Sequence, residues 1–241
     1  MSESITIMIS RWLIFSSAFL SLAHAATVTG QVELTNSQDS AARKHNYSGV
    51  VFWLQPVDRD QPIPVVARHA EMKQQNKHFT PHVVAIQVGG TVDFPNLDPI
   101  FHNAFSKFAG QPFDIGLYPP GTSKPVPFRK PGIVQVFCNI HSTMSAIIDV
   151  VPTPWYDVTN AAGKFTIANV PPGEYQLHVY HERALPANLQ FLDRRITVPE
   201  GGLTLPLISI TETGFVPADH LDKHGMPYPK APSDGTYMGG H

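Results

Sequence analysis

Alternation of apolar and polar residues marks several short segments in the first half of the chain. In "TVTGQVEL", residues 27–34, three apolar side chains fall on one face of an extended strand. The run "GVVFWLQP", residues 49–56, is apolar enough to form a buried strand. The stretch "HVVAIQVGGTVDF", residues 82–94, predicts two strands joined at Gly89-Gly90. This half of the chain therefore favours β-structure.

The second half shows the same pattern. "GIVQVFC", residues 132–138, places Val134, Val136 and Cys138 on one strand face, and the apolar run "SAIIDVV" follows shortly after. "GKFTIANVPPGEYQLHVYH" predicts two strands around a Pro-Pro-Gly turn, and "RRITVPEGGLTLPLISI" predicts one more hairpin. We find no helical periodicity outside the first 25 residues. The predicted fold class is all-β, built from β-sandwiches.

The two ends of the chain differ from this pattern. Residues 1–25 carry Arg11, an apolar run and the small-x-small triplet Ala23-His24-Ala25, which predict a signal peptide cleaved near Ala25. The apolar run is short for a membrane anchor, so we expect an exported, periplasmic chain with no membrane span after cleavage. Residues 213–241 are rich in Pro and Gly and predict a flexible tail.

Composition narrows the function classes only slightly. The chain of 241 residues is long enough for one large or two small domains. Charged residues make up 15%, and 23 prolines suit a turn-rich β-fold. A formal net charge of −2 offers no electrostatic attraction to nucleic acid or to an anionic membrane surface.

Cys138 is the single cysteine of the sequence. A spare thiol in an oxidising compartment tends to oxidise or to cross-link two chains, and one cysteine forms no internal disulfide. Four roles are open: a buried inert thiol, an intermolecular disulfide, a nucleophile, or a metal-binding thiolate.

The residues after Cys138 favour a metal. Cys138, His141 and Met144 form C-x2-H-x2-M, which combines a thiolate, an imidazole and a thioether within seven residues. His102, which follows the predicted strand "TVDF", is the candidate fourth ligand. Two histidines, one cysteine and a weak axial methionine are the ligands of electron-transfer copper sites. A methionine that packs over a three-coordinate metal is the alternative for Met144.

These stretches resemble the blue (type 1) copper proteins, the cupredoxins. "VGGTVDFPNLDPIFHNAFS" resembles the strand, turn and His-Asn step of that family, and "GTSKPVPFRKPGIVQVFCNIHSTM" resembles its penultimate strand and ligand loop. The short loop is most similar to that of amicyanin. The resemblance covers about residues 72–151 and implies a Greek-key β-sandwich with one type 1 copper. The implied ligands are His102, Cys138, His141 and Met144, with Asn103 tying the ligand loops together.

The remaining segments resemble a different kind of module. Residues 152–212, with "GKFTIANVPPGEYQLHVYHE", resemble carboxypeptidase-regulatory or transthyretin-like β-sandwiches, and residues 26–71 resemble their first strands. The N- and C-terminal segments are therefore expected to form a second small sandwich around an inserted copper domain. Pairing of the strands at 27–34 and 50–55 with the copper-domain sheet alone would contradict this arrangement.

The resemblance implies a non-enzymatic periplasmic protein that carries single electrons between Cu(II) and Cu(I). Its partners would be redox proteins such as a cytochrome or a dehydrogenase, and the family implies an apolar surface near His141, with Phe101 a candidate member. The main alternative is a protein that binds or delivers copper without carrying electrons. A third is a structural module in which the metal only stabilises the fold, and a cysteine hydrolase or a copper oxidase or reductase is less favoured.

Overall fold

The computed structural model describes residues 25–66, 68–107, 111–216 and 220–228. The predicted signal peptide, residues 1–25, lies outside the described residues except for Ala25. Within the described ranges, no helix has the length and apolar character needed to cross a lipid bilayer.

The strands and helices follow one another along the chain with short connections. Their bounds are β1 Ala26–Thr35, α1 Ser40–Arg43, β2 Val51–Pro56, β3 His69–Glu71, β4 Lys73–Gln75, β5 His78–Thr80, β6 Val83–Gln87, β7 Thr91–Pro95, β8 Phe105–Ser106, β9 Phe113–Asp114, β10 Ser123–Pro127, β11 Gly132–Phe137, β12 Ser145–Val151, β13 Tyr156–Val158, β14 Lys164–Val170, β15 Gly173–Tyr180, α2 Pro186–Leu189, β16 Arg194–Val198, β17 Leu203–Thr204 and β18 Ile208–Thr211.

The all-β fold class is confirmed. The expectation of no helix after residue 25 is corrected, because the described residues contain two short helices. Helices α1 and α2 have four residues each, too few to show helical periodicity in the sequence. Asp39 caps α1 by accepting hydrogen bonds from the backbone N–H groups of Ala41 and Ala42 at 2.8 and 3.0 Å. Both helices lie in connections between strands and leave the sheets as the framework of the fold.

One pair of sheets joins the N-terminal and C-terminal segments. Strand β1 pairs with β14, β17 and β18, and β2 pairs with β13 and β15. The two sheets pack face to face, and the rings of Phe52 and Phe165 stack between them with centroids 4.0 Å apart. The strands near residues 27–34 and 50–55 thus pair with C-terminal strands, as the second sandwich requires. The proposed domain limits remain a prediction.

A second set of sheets encloses its own apolar core and carries the candidate site. The sheets run β10-β7-β3 and β6-β12-β11-β8-β9, with the hairpin β4-β5 alongside. Gly89 lies in the turn between β6 and β7. Its φ of +93° is a backbone conformation that residues with a Cβ rarely adopt. We call this set the metal unit and the other pair the companion unit.

A third, smaller apolar cluster joins the two units. Val83, Ala85 and Ile147 from the metal unit pack with Val51 of the companion unit. Asp149 of β12 is buried, and its Oδ2 has no hydrogen-bond partner among the described residues. Burial raises the pKa of this carboxyl to about 7.

Two predictions for the C-terminal part are corrected. Residues 194–210 form no hairpin, because β16 pairs with β15 while β17 and β18 pair in parallel with β1 in the opposite sheet. The turn at Gly202, with φ +84°, carries the chain from one sheet to the other. Residues 220–228, expected to belong to a flexible tail, instead pack on the metal unit, and we call them the C-terminal strap.

Candidate metal centre

His102 lies between β7 and β8, in a segment fixed by its backbone. Its N–H donates to the carbonyl of Tyr118 at 3.2 Å, and its own carbonyl accepts from the N–H of Tyr118 at 2.9 Å. The side chain of Asn96 donates to the carbonyl of Ile100 at 2.9 Å and closes the turn before the histidine. The imidazole is fully buried as a result of this packing.

Cys138, His141 and Met144 occupy the loop between β11 and β12. Cys138 continues the inward-facing row of Val134 and Val136, and all three side chains are buried. The N–H of Cys138 donates to the carbonyl of Met144 at 3.2 Å, and the N–H of Met144 donates to the carbonyl of His141 at 3.1 Å. These bonds close the loop with Cys138 and Met144 at its base.

The structure brings His102, Cys138 and His141 together. Their ligand atoms all lie within 4.8 Å of one another, although the sequence separates His102 from Cys138 by 36 residues. The Cys138 Sγ lies 3.8 Å from Nδ1 of His102 and 3.7 Å from Nδ1 of His141. Met144 lies in the same buried cluster of side chains as Cys138.

The separations fit a shared metal ion. Metal–sulfur and metal–nitrogen bonds of about 2.3 and 2.0 Å at a near-tetrahedral angle place sulfur and nitrogen about 3.5 Å apart. The observed separations of 3.8 and 3.7 Å are close to this value and too long for strong direct hydrogen bonds. Thiolate, imidazole and thioether ligands together suit copper.

Asp98 orients the buried histidine. One of its carboxylate oxygens lies 2.7 Å from Nε2 of His102, and the pair is almost completely buried. Burial raises the pKa of Asp98, but hydrogen bonds from the Lys77 N–H, from His102 and from the Asn76 N–H outweigh it and lower the pKa. Asp98 thus stays ionised and holds the proton of His102 on Nε2, so Nδ1 presents its lone pair towards Cys138.

His141 also approaches Cys138 through Nδ1 and is half-buried. Burial is the main cause that lowers the pKa of His141 to about 4, with the charges of His102 and Lys77 adding to the effect. The ring is therefore neutral near pH 7, as metal ligation requires. Its Nε2 is buried without a hydrogen-bond partner among the described residues.

Asn103 ties the two ligand segments together. Its side-chain oxygen accepts a hydrogen bond from the N–H of Asn139 at 3.2 Å, directly after Cys138. Its amide nitrogen donates to Asp114 at 2.7 Å. The sequence reasoning anticipated this side chain as a link between the loops, and the contact joins the His102 segment to the Cys138 segment.

Other histidines form carboxylate pairs away from the centre. His82 bonds to Glu182, His178 to Asp193 and His181 to Glu212, at 2.7 to 2.8 Å.

Sequence reasoning did not identify Asp98, although its position four residues before His102 was visible. A search for an acidic residue beside each candidate ligand would have found it, because buried ligand histidines require a partner on their second nitrogen.

No family model and no curated protein matches this sequence. Among solved structures, similarity is found to a copper-containing nitrite reductase (NirK) from Thermus scotoductus SA-01, at 25% identity and a TM-score of 0.34, covering 50% of this chain and 28% of that chain. The oxidised state of an amicyanin mutant matches at 15% identity and a TM-score of 0.32, covering 34% of this chain and 80% of the other.

A purple cupredoxin from Nitrosopumilus maritimus matches at 24% identity and a TM-score of 0.29, over 32% of this chain and 84% of that one. Each of these structures matches half of this chain or less. The resemblance of residues 152–212 to transthyretin-like modules stays a prediction.

Proposed function

We propose that this protein binds one copper ion at a type 1 site and carries single electrons. The observation that supports the proposal most directly is the approach of two imidazole Nδ1 atoms to the Cys138 thiol. Bound copper would supply the Cu(II)/Cu(I) couple, and the residues that would hold it are His102, Cys138, His141 and Met144.

The surrounding residues suit rapid electron transfer. Cys138, His102 and Met144 are fully buried, and closed backbone turns hold both ligand segments. A rigid, water-excluding set of ligands changes little between two oxidation states, which keeps the reorganisation on electron transfer small. All four proposed ligands come from the chain, so we propose an electron carrier rather than an oxidase or a reductase that binds substrate at the metal.

Copper delivery is the alternative, and the burial of the ligands argues against it. A protein that hands over its metal needs ligands that a partner can reach. Here three of the four proposed ligand side chains have no exposed surface. Retention of copper and exchange of electrons is therefore the better-supported function.

The proposed docking surface lies on the metal unit around the ligand segments. Leu97, Phe101 and Leu117 are large apolar side chains with 50%, 54% and 59% of their surface exposed. Phe101 precedes His102, and Leu117 precedes its backbone partner Tyr118. A small apolar surface suits brief contact with a redox protein such as a cytochrome or a dehydrogenase, and we propose, from the predicted signal peptide, that the encounter occurs in the periplasm.

Absorption and paramagnetic resonance spectra of the purified protein with one equivalent of Cu(II) test the proposal. We expect an intense blue or green colour that disappears on reduction, because thiolate-to-copper charge transfer requires Cys138 as a ligand. Cys138→Ser should abolish the colour. His78→Ala, at an exposed histidine outside the cluster, is the control and should leave it unchanged. A colourless Cu(II) complex of the wild-type protein contradicts the proposal.

A further inference from the structure

The C-terminal strap contacts three consecutive residues at the end of β11. The ring of His220 stacks on Phe137 with centroids 4.2 Å apart and an interplanar angle of 27°. The hydroxyl of Tyr228 donates to the carbonyl of Cys138 at 2.7 Å. The backbone N–H of Lys223 donates to the side-chain oxygen of Asn139 at 2.9 Å. The strap thus contacts the cysteine and both of its neighbours.

Lys223 extends these contacts to the link between the ligand segments. Its ammonium group lies 3.0 Å from Asp114, the carboxylate that also accepts from Asn103. Asn103 in turn accepts from the N–H of Asn139, which bonds through its side chain to Lys223. The four residues form a closed ring of hydrogen bonds that includes one member from the strap.

The strap has a defined shape of its own. Asp222 accepts hydrogen bonds from the N–H groups of His224 and Met226 at 2.8 and 2.7 Å and so closes a tight turn. Tyr228 and His220 lie at the two ends of this turn and meet through Oη and Nδ1 at 3.2 Å. The turn brings both aromatic side chains to the same strand end.

We propose that the C-terminal strap is a positioning element of the metal centre, in which Tyr228 holds the Cys138 backbone and thereby fixes the direction of its thiol. The inference rests on the proposed function in taking Cys138 as the metal ligand. The N–H of Cys138 is held within the loop by Met144, and its carbonyl is held by the strap. The peptide groups on both sides of the ligand thus have fixed partners, which limits rotation of the cysteine about its backbone.

The sulfur of Cys138 is buried in the core of the metal unit, beside the strand end that the strap contacts. Cys138 has no exposed surface, so a reagent reaches it only when this strand end opens. Because Cys138 is the single cysteine, the rate of alkylation of the metal-free protein reports that opening directly. This measurement needs no bound copper.

The first test compares Tyr228→Phe with Tyr47→Phe. Each variant loses a hydroxyl that contacts a histidine, but Tyr47 pairs with His45 in the companion unit at 2.7 Å. We expect Tyr228→Phe to speed Cys138 alkylation in the metal-free protein roughly three- to tenfold, because one partly buried hydrogen bond is lost, and Tyr47→Phe to leave the rate unchanged. With copper bound, Tyr228→Phe should also shift the charge-transfer absorption band and lower the reduction potential.

The second test loosens the strap without touching the ligand loop. Asp222→Ala removes the acceptor that closes the turn, and Asp222→Asn retains a side-chain oxygen for the same N–H groups. We expect Asp222→Ala to speed alkylation and Asp222→Asn to restore the slow rate. Equal rates for wild type, Tyr228→Phe and Asp222→Ala would overturn the positioning role.

The readouts separate failure of this inference from failure of the proposed function. If copper gives the type 1 colour and all variants keep the wild-type alkylation rate and absorption band, the strap has no positioning role and the function stands. If the wild type gives no type 1 colour but Tyr228→Phe and Asp222→Ala expose Cys138, the strap holds the cysteine as inferred and the copper function fails.

Discussion

The two histidines of the candidate centre reach Cys138 from different kinds of structure. His102 is fully buried, paired through its backbone with Tyr118 and bonded through Nε2 to Asp98. His141 is half-buried on a short loop, and its Nε2 has no partner among the described residues. The His102 ring is thus fixed by a hydrogen bond on its second nitrogen, whereas the orientation of the His141 ring would depend on a bound metal. We therefore expect substitutions at His141 to be easier to compensate than substitutions at His102 or Asp98.

Removal of each imidazole gives the largest expected effect. His102→Gly and His141→Gly should both lose the type 1 absorption when copper is added. Free imidazole should restore it in His141→Gly, because residue 141 is only half-buried, and not in His102→Gly, whose position is fully buried. Titration of each variant with imidazole, followed by absorption, measures the difference. Equal recovery in both variants would contradict the proposed asymmetry.

The Asp98 carboxylate provides the next test of the fixed side. Asp98→Asn leaves one acceptor oxygen where the carboxylate uses two, because the N–H groups of Asn76 and Lys77 bond to different oxygens, and it weakens the acceptor for Nε2 of His102. We expect copper affinity to fall about 10- to 100-fold, as is typical when a histidine ligand loses its carboxylate partner. Asp93→Asn is the matched control, because Asp93 bonds to the exposed His69 at 2.8 Å. A competitive chelator titration compares the two variants.

Asp149 is also a buried carboxyl, but within the described part of the chain it lacks the hydrogen bonds that lower the pKa of Asp98. Its pKa is raised to about 7, so the folded state binds the proton more tightly than the unfolded state does. The contribution of Asp149 to stability is therefore greatest below pH 4 and is lost as pH rises from about 4 to about 7. The contribution amounts to about 3 kcal/mol between pH 5 and pH 8.

Asp149→Asn should reduce this pH dependence. Denaturant unfolding of the metal-free wild type and variant at pH 5 and pH 8 measures the difference in the free energy of unfolding. The variant should lose less stability over that interval, while Asp157→Asn, at a half-buried position on β13, serves as the control. A wild-type protein that loses no more stability than the variant over the same interval would show that Asp149 ionises without penalty.

The smallest expected effect concerns the axial position. Met144→Gln should retain copper and lower its reduction potential, because an amide oxygen stabilises Cu(II) more than a thioether does. Electrochemical measurement of the variant beside Met226→Gln, at an exposed methionine of the strap, isolates the effect of the ligand position. An unchanged potential in Met144→Gln would favour the three-coordinate alternative.

The sequence predicted much of this molecule because its signals are local. Period-two alternation and short apolar runs located β1, β2, β6, β7, β11 and β12, and the C-x2-H-x2-M spacing located the loop that carries three proposed ligands. The pairing of β17 and β18 with β1 was not predicted, since strand partners distant in sequence leave no local pattern. The strap escaped prediction for a related reason. Its few contacts depend on single side chains such as Tyr228 rather than on an apolar repeat.

The pairing of β1 with β14 and β18 has a consequence for how the chain acquires its structure. Ala26 pairs with Val170, and Thr35 pairs with Thr211, so the companion unit needs both ends of the polypeptide. Contacts between such distant residues raise the contact order and slow folding. During synthesis, the sheets of the metal unit can assemble once β12 has emerged. The companion unit, whose strands flank them in sequence, must wait for β18.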